Sequence, residues 1–160
     1  MLFCVEQMPT FDLERRFDAP LDIVWDVLTD HRAYQEWGAV KTAELEAEGS
    51  PDINGVGSIR RLSEGPIVIR EQVIEFEPKS RFVYTVLSGP PVRDYRATVT
   101  LDARGTSTMV HWNVTFRGKL PLIGLVVKPV VRRVIRTLMR KASWESQRRA
   151  NARAVLGGAR

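Results

Sequence analysis

Residues 82–116, with the two segments before them, are the part of this chain that most limits its fold. They read as β-strands joined by turns short enough to fix which residues face each other. Segments 67–76, 81–87, 93–101 and 108–117 alternate apolar and polar side chains, as half-buried strands do. A two-residue turn at Glu64-Gly65 sets Leu62 opposite Ile67 and Arg60 opposite Ile69. A turn over Glu77-Pro78-Lys79-Ser80 sets Val73 opposite Tyr84 and Glu71 opposite Val86. A turn over Gly89-Pro90-Pro91-Val92 pairs Val86 with Tyr95 and Tyr84 with Ala97, and the next hairpin pairs Val99 with Val110 and Ala97 with Trp112. Paired residues share a face of a sheet, so the four turns test one another. They agree: Leu62, Val73, Phe82, Tyr84, Tyr95, Ala97, Trp112 and Val114 fall on one face. Arg61, Arg70, Thr85, Arg96, Thr98, His111 and Asn113 fall on the other. A slip of one residue in any strand would undo that sorting.

The remaining elements follow from simpler patterns. Residues 10–17 alternate as a strand with Phe11, Leu13 and Phe17 inward. Asp18-Ala19-Pro20 opens a helix, with Asp18 as its cap and Pro20 in its first turn. A second short helix covers residues 32–37, and residues 40–48 and 57–63 form two strands around a loop rich in Gly, Pro and Asn. From about residue 121 to 154 the chain is helical, with Val127, Val131, Val134, Ile135, Leu138 and Ala142 on one stripe. Past Ala142 the stripe becomes Glu145, Ser146 and Arg149, so tight packing is expected for the first half of this helix and looser packing afterwards. Pro129 either kinks the helix or marks where its long part begins.

Charge and composition narrow the function. Residues 128–160 hold ten Lys/Arg and one acid, while the other 127 residues hold fourteen bases and eighteen acids, so the net +5 belongs to the last helix. That excess suits an anionic membrane surface or a protein partner, or is a solvated helix face; nothing in it specifies nucleic acid. The single cysteine, Cys4, forms no internal disulfide and fits a reducing compartment. The first residues lack the basic region and long apolar run of a secretory signal, and the most apolar window, 120–131, is broken by Pro121, Lys128 and Pro129. A soluble cytoplasmic domain spanning residues 10–156 is expected, with short flexible tails at 1–9 and 157–160.

An N-terminal strand, two short helices, six antiparallel strands and a long last helix is the element order of the helix-grip fold. The residues that carry the likeness are Ala19-Pro20 with Val24-Trp25 and Leu28, then Asp30 and Trp37. Gly55-x-Gly57, Glu77-Pro78 with Phe82-Val83-Tyr84, Gly105 ahead of Val110-His111-Trp112, Pro121 and the Arg-rich final helix extend it. In these the chain resembles the START-like (SRPBCC) superfamily, specifically the bacterial polyketide cyclase/dehydrase and lipid-transport branch related to the birch-pollen allergen. The resemblance implies an α+β fold with a seven-stranded curved antiparallel sheet wrapped around the C-terminal helix. It also implies an apolar cavity for a lipid, sterol, hormone or polyketide.

Arg60 and Glu71 are expected on the inward face as diagonal neighbours, where they orient a ligand's carbonyl or hydroxyl or form a structural ion pair at the rim. Tyr84 and Tyr95 bring hydroxyls inward, and small Ala97 leaves room before Trp112. Val73, Phe82, Val86, Leu138 and Ala142 complete the expected lining. The site is placed between the sheet and the second half of the helix, with access beside the loops at 49–55 and 88–92. His111 is expected to face outward and His31 to lie in a break between helices. Neither His has a Ser or Cys partner for a hydrolase triad, no ligand cluster suggests a metal, and Gly55-x-Gly57 lacks the rest of a dinucleotide fingerprint. No cofactor is expected. Trp144 is expected to be covered by the short N-terminal helices. The primary reading is a carrier or sensor of a small hydrophobic molecule. The alternatives are a cyclase, aromatase or dehydratase with Glu71 as general acid/base, and an interaction module using the basic helix.

Overall fold

A computed structural model describes residues 10–158. Cys4 and the rest of the expected N-terminal tail lie outside the described residues, and of the C-terminal tail only Gly157 and Gly158 are described. Seven strands, β1 (Thr10–Phe17), β2 (Thr42–Ala47), β3 (Ile59–Glu64), β4 (Ile67–Glu77), β5 (Arg81–Ser88), β6 (Val92–Arg104) and β7 (Ser107–Gly118), form one antiparallel sheet in the order β1-β7-β6-β5-β4-β3-β2. Helix α1 (Leu21–Thr29) and a 3-10 helix (His31–Gln35) follow β1, and a 35-residue helix α2 (Ile123–Gly157) closes the chain. This is the helix-grip α+β fold.

The face sorting expected from the turns holds throughout, while two registers move by two residues. Arg60 pairs with Glu71 and Leu62 with Ile69, because the β3–β4 turn is Gly65-Pro66 rather than Glu64-Gly65. Pro66 has no N–H to give a ladder and is accommodated in the turn, with Gly65 before it at φ +62°. Likewise Val99 pairs with Trp112 and Ala97 with Val114, because Gly105, at φ +62°, is the first residue of a Gly105-Thr106 turn. A two-residue slip keeps every side chain on its side. The Val73–Tyr84, Glu71–Val86 and Tyr84–Ala97 pairs stand as expected.

Asp18 does not cap α1. Pro20 occupies the cap position in extended geometry and its carbonyl accepts from Val24 N–H, while Asp18 lies two residues further out, paired with Arg16 at 3.1 Å. Ile23, Val24, Val27 and Leu28 bury one side of α1, and Trp25 meets Phe76 and Phe82 edge-on at 5.1 and 5.9 Å. Burying side chains of this size contributes about 1.5–3 kcal/mol each.

Helix α2 packs along the expected stripe and beyond it. Ile135 and Ala142 are buried and Val127, Val131 and Leu138 pack half-buried against the core, while Val134 is exposed; burial continues past Ala142 to Glu145 and Ser146, where the sequence implies looser packing. The helix runs unbroken through Pro129 and packs mainly on α1, β1 and β7, and Lys141 Nζ donates to the Gly38 carbonyl at 2.6 Å. The polar second half packs because its polar groups are satisfied in place. Ser146 Oγ donates to the Ala142 carbonyl at 2.8 Å, and Arg148 and Arg149 both donate to Glu145 at 2.7–2.8 Å. The Arg148 hydrogen bond leads in holding the Glu145 carboxyl below its usual range. Arg153 ties the end of the helix to Asp22 of α1 at 2.8 Å.

Candidate functional site: a buried charged cluster

Arg60 and Glu71 sit directly across β3 and β4 from each other, with Arg60 Nε donating to Glu71 Oε2 at 2.7 Å. They are 3% and 9% exposed, so this is a buried ion pair rather than a rim contact. The Arg60 guanidinium also lies over the Tyr84 ring, 4.5 Å from its centroid. A desolvated cation–π contact contributes about 2 kcal/mol. Tyr84 packs against Phe82, Tyr95 and Trp112 at centroid distances of 6.1–6.3 Å. Burial pushes the Tyr84 and Tyr95 hydroxyls above the ordinary phenol range, so both stay protonated and able to donate.

The third member of the cluster was not anticipated. His31 opens the 3-10 helix, and its ring is buried against Tyr34, 5.0 Å away, and Phe82. Its Nε2 meets Arg60 Nη1. Arginine can only donate, so Nε2 accepts. Burial first, and the Arg60 charge second, hold His31 well below 6.5, so the ring is neutral and carries its proton on Nδ1. That N–H is buried with no hydrogen-bond partner among the described residues.

The structure brings all the expected lining residues to the inward side. Val73, Phe82, Tyr84, Tyr95, Ala97, Trp112 and Ala142 are buried with the ion pair, and Val86 and Leu138 are half-buried. Along β4 the inward residues grade from buried Val73 and Glu71 through half-buried Ile69 to exposed Ile67. On α2 the side facing the sheet carries half-buried Val127 and Val131 ahead of buried Ile135, while Val130 and Val134 lie round the helix from it. The exposed end of β4 is the end of the sheet that carries the Gly65-Pro66 turn and the loop after β5, where Lys119 N–H donates to the Pro91 carbonyl ahead of α2. The half-buried Ile69, Val86, Val127 and Val131 mark the less deeply buried part of the interior, beside the first half of α2. The two loops expected to flank the access route are at opposite ends: the 49–55 loop lies by β4's far end, where Gly57 N–H donates to the Val73 carbonyl.

Trp144 is 59% exposed, contrary to the expectation that the short helices cover it. Trp25 turns instead to Phe76 and Phe82, and Trp37 stacks edge-on with Tyr34 at 5.0 Å. Trp144, Trp37, Lys141, Glu145 and Arg148 border a surface depression of about 280 Å³. A second, of about 420 Å³, lies between the β6–β7 turn and Ala150-Asn151. Neither is lined by the buried cluster. His111 faces outward between Glu14 and Asp102 at 3.1 and 3.4 Å. Among the described residues no group of His, Cys, Asp and Glu could hold a metal ion, and no helix is long and apolar enough to cross a membrane.

Comparison with known proteins agrees with this geometry. The fold superposes on the Zhui aromatase/cyclase from a Streptomyces species with a TM-score of 0.76 at 18% identity, covering 89% of this chain and 96% of that one. It superposes on a START superfamily protein from Mycobacterium smegmatis with a TM-score of 0.74 at 15% identity, covering 87% and 97%. Norcoclaurine synthase from Thalictrum flavum, in complex with dopamine and hydroxybenzaldehyde, gives a TM-score of 0.68 at 17% identity, covering 85% and 84%. No curated protein sequence matches. Residues 8–149 match the family described as polyketide cyclase / dehydrase and lipid transport, and the chain belongs to that family.

Proposed function

We propose that this protein binds a small hydrophobic molecule bearing a carbonyl or hydroxyl, such as a lipid or polyketide. The ligand would lie between the inward sheet face and α2, with its polar group on the cluster of His31, Arg60, Glu71 and Tyr84. One observation carries the reading: the His31 Nδ1–H donor is buried without a partner among the described residues, beside the Arg60–Glu71 pair in a largely apolar interior. Such a group costs about 1–3 kcal/mol, which a ligand acceptor would recover. The half-buried Val86 and Leu138 would meet the ligand's apolar part, and Val73, Phe82, Tyr95, Ala97 and Ala142 would back it.

A cyclase or dehydrase role with Glu71 moving a proton fits less well, because Glu71 Oε2 is engaged by Arg60 as a hydrogen-bond acceptor. Its test is direct: Glu71→Gln would abolish turnover of a poly-β-keto substrate, and unchanged products would remove it. For the binding reading, native mass spectrometry of the purified protein is expected to show a retained small molecule. His31→Phe, which removes that donor, is expected to weaken the affinity for a carbonyl-bearing ligand by roughly fivefold to tenfold. Protein that is always empty, with an unfolding midpoint unmoved by fatty acids, sterols and aromatic polyketides, would end the proposal.

A further inference from the structure

The first half of α2 carries an apolar surface that no described residue covers. Val126, Val130 and Val134 are 66%, 59% and 56% exposed. They are spaced four apart, which at about 100° per residue places them in one stripe. Leu122, just ahead of the helix, extends the stripe and is also exposed. Around the helix from these valines, on the side away from the core, stand Arg132, Arg133, Arg136 and Arg140, all exposed. None of the four is ion-paired with a described residue; Arg140 lies over the Trp144 ring at 5.5 Å. The second half of the same helix differs, because Arg148, Arg149 and Arg153 are all engaged by Glu145 or Asp22. The unpaired basic charge thus coincides with the uncovered apolar stripe.

We infer that this half-helix docks the protein on an anionic membrane surface, with Leu122, Val126, Val130 and Val134 entering the acyl boundary and the arginines reaching lipid phosphates. An exposed apolar ridge flanked by long basic side chains is the pattern of a helix lying in a membrane interface. A second copy of the chain is a poorer occupant, since docking like face to like face sets one row of guanidinium groups against another. The other flank of the stripe is half-buried Val127, Val131 and Leu138, which pack on the core. The inference stands apart from the ligand reading, because the docking residues contribute nothing to the buried cluster.

The test is co-sedimentation of the full chain with vesicles of phosphatidylcholine alone or mixed equally with phosphatidylglycerol. Binding is expected to the anionic vesicles only, and to fall as salt screens the arginines. Arg132→Glu with Arg136→Glu is expected to weaken it at least about tenfold, and Val126→Glu with Val130→Glu to abolish it, both with an unchanged circular dichroism spectrum. The salt titration of the unaltered protein needs no variant. Protein left in the supernatant with anionic vesicles, or bound equally to neutral ones, overturns the inference. So does binding that both variants retain, or a dimer lost in Val126→Glu with Val130→Glu when no vesicle binding is seen.

Discussion

Arg60 shows what a single buried charge contributes. It is held by Glu71, His31 and the Tyr84 ring, so Arg60→Met would strand the Glu71 carboxylate in the interior. Equilibrium unfolding in urea is expected to show a loss of about 3–5 kcal/mol, with most of it restored by adding Glu71→Met. A single variant as stable as the parent would mean that the pair is solvated. His31 adds a pH dependence. Its folded form resists protonation while the unfolded chain takes up a proton below 6.5. Stability is therefore kept above that pH and lost as pH falls through it, by about 1.4 kcal/mol per unit from this group. His31→Gln, whose amide oxygen can accept from Arg60, is expected to remove that slope in unfolding curves between pH 7 and 5. Parallel curves for the two proteins would refute the assignment. Arg60, Glu71, Tyr84 and Trp112 were legible in the sequence because strand alternation assigns a face whatever the exact register. His31 was not, because a break between two helices offers no periodicity to say which way its first residue points.

At the scale of elements, hairpins and helix were legible to different degrees. Turn chemistry placed the β4–β5 hairpin correctly, while Pro66 and Gly105 each shifted a hairpin by one position in the turn and two in the pairing. The stripe of the long helix was legible, since Ile135 and Ala142 are buried and Val127, Val131 and Leu138 pack against the core with Val134 the exception, but how far burial runs along the helix was not. Glu145 and Ser146 read as solvent residues and are buried, since a carboxylate with two arginines and a serine bonded to its own helix need no water. Hydrogen exchange is expected to follow this division, with amides of residues 124–134 exchanging well ahead of those of 135–150. Pro129 breaks one hydrogen bond in the faster half. Pro129→Ala is expected to slow exchange there by up to about a hundredfold. Uniform protection along α2 would contradict the unequal packing.

The whole molecule was legible in its strand count and antiparallel order but not in its openings. Two loops separated by three strands, β3 to β5, were placed together, and alternation of strand direction over three strands sends them to opposite ends. Ligand occupancy should stabilise the entire domain. At a hundred times its dissociation constant a ligand adds about 2.7 kcal/mol, which calorimetry is expected to record as a rise in Tm of roughly 5–10 °C. A Tm indifferent to every bound molecule would place binding outside the folded core. One feature of the sheet also bears on how the chain gets there. Arg60 and Glu71 are only eleven residues apart, on a single hairpin, while His31 lies twenty-nine residues from Arg60. Local contacts close before distant ones. Two opposite charges can thus neutralise each other while still in water and enter the collapsing interior as a unit, so that neither has to cross into it alone.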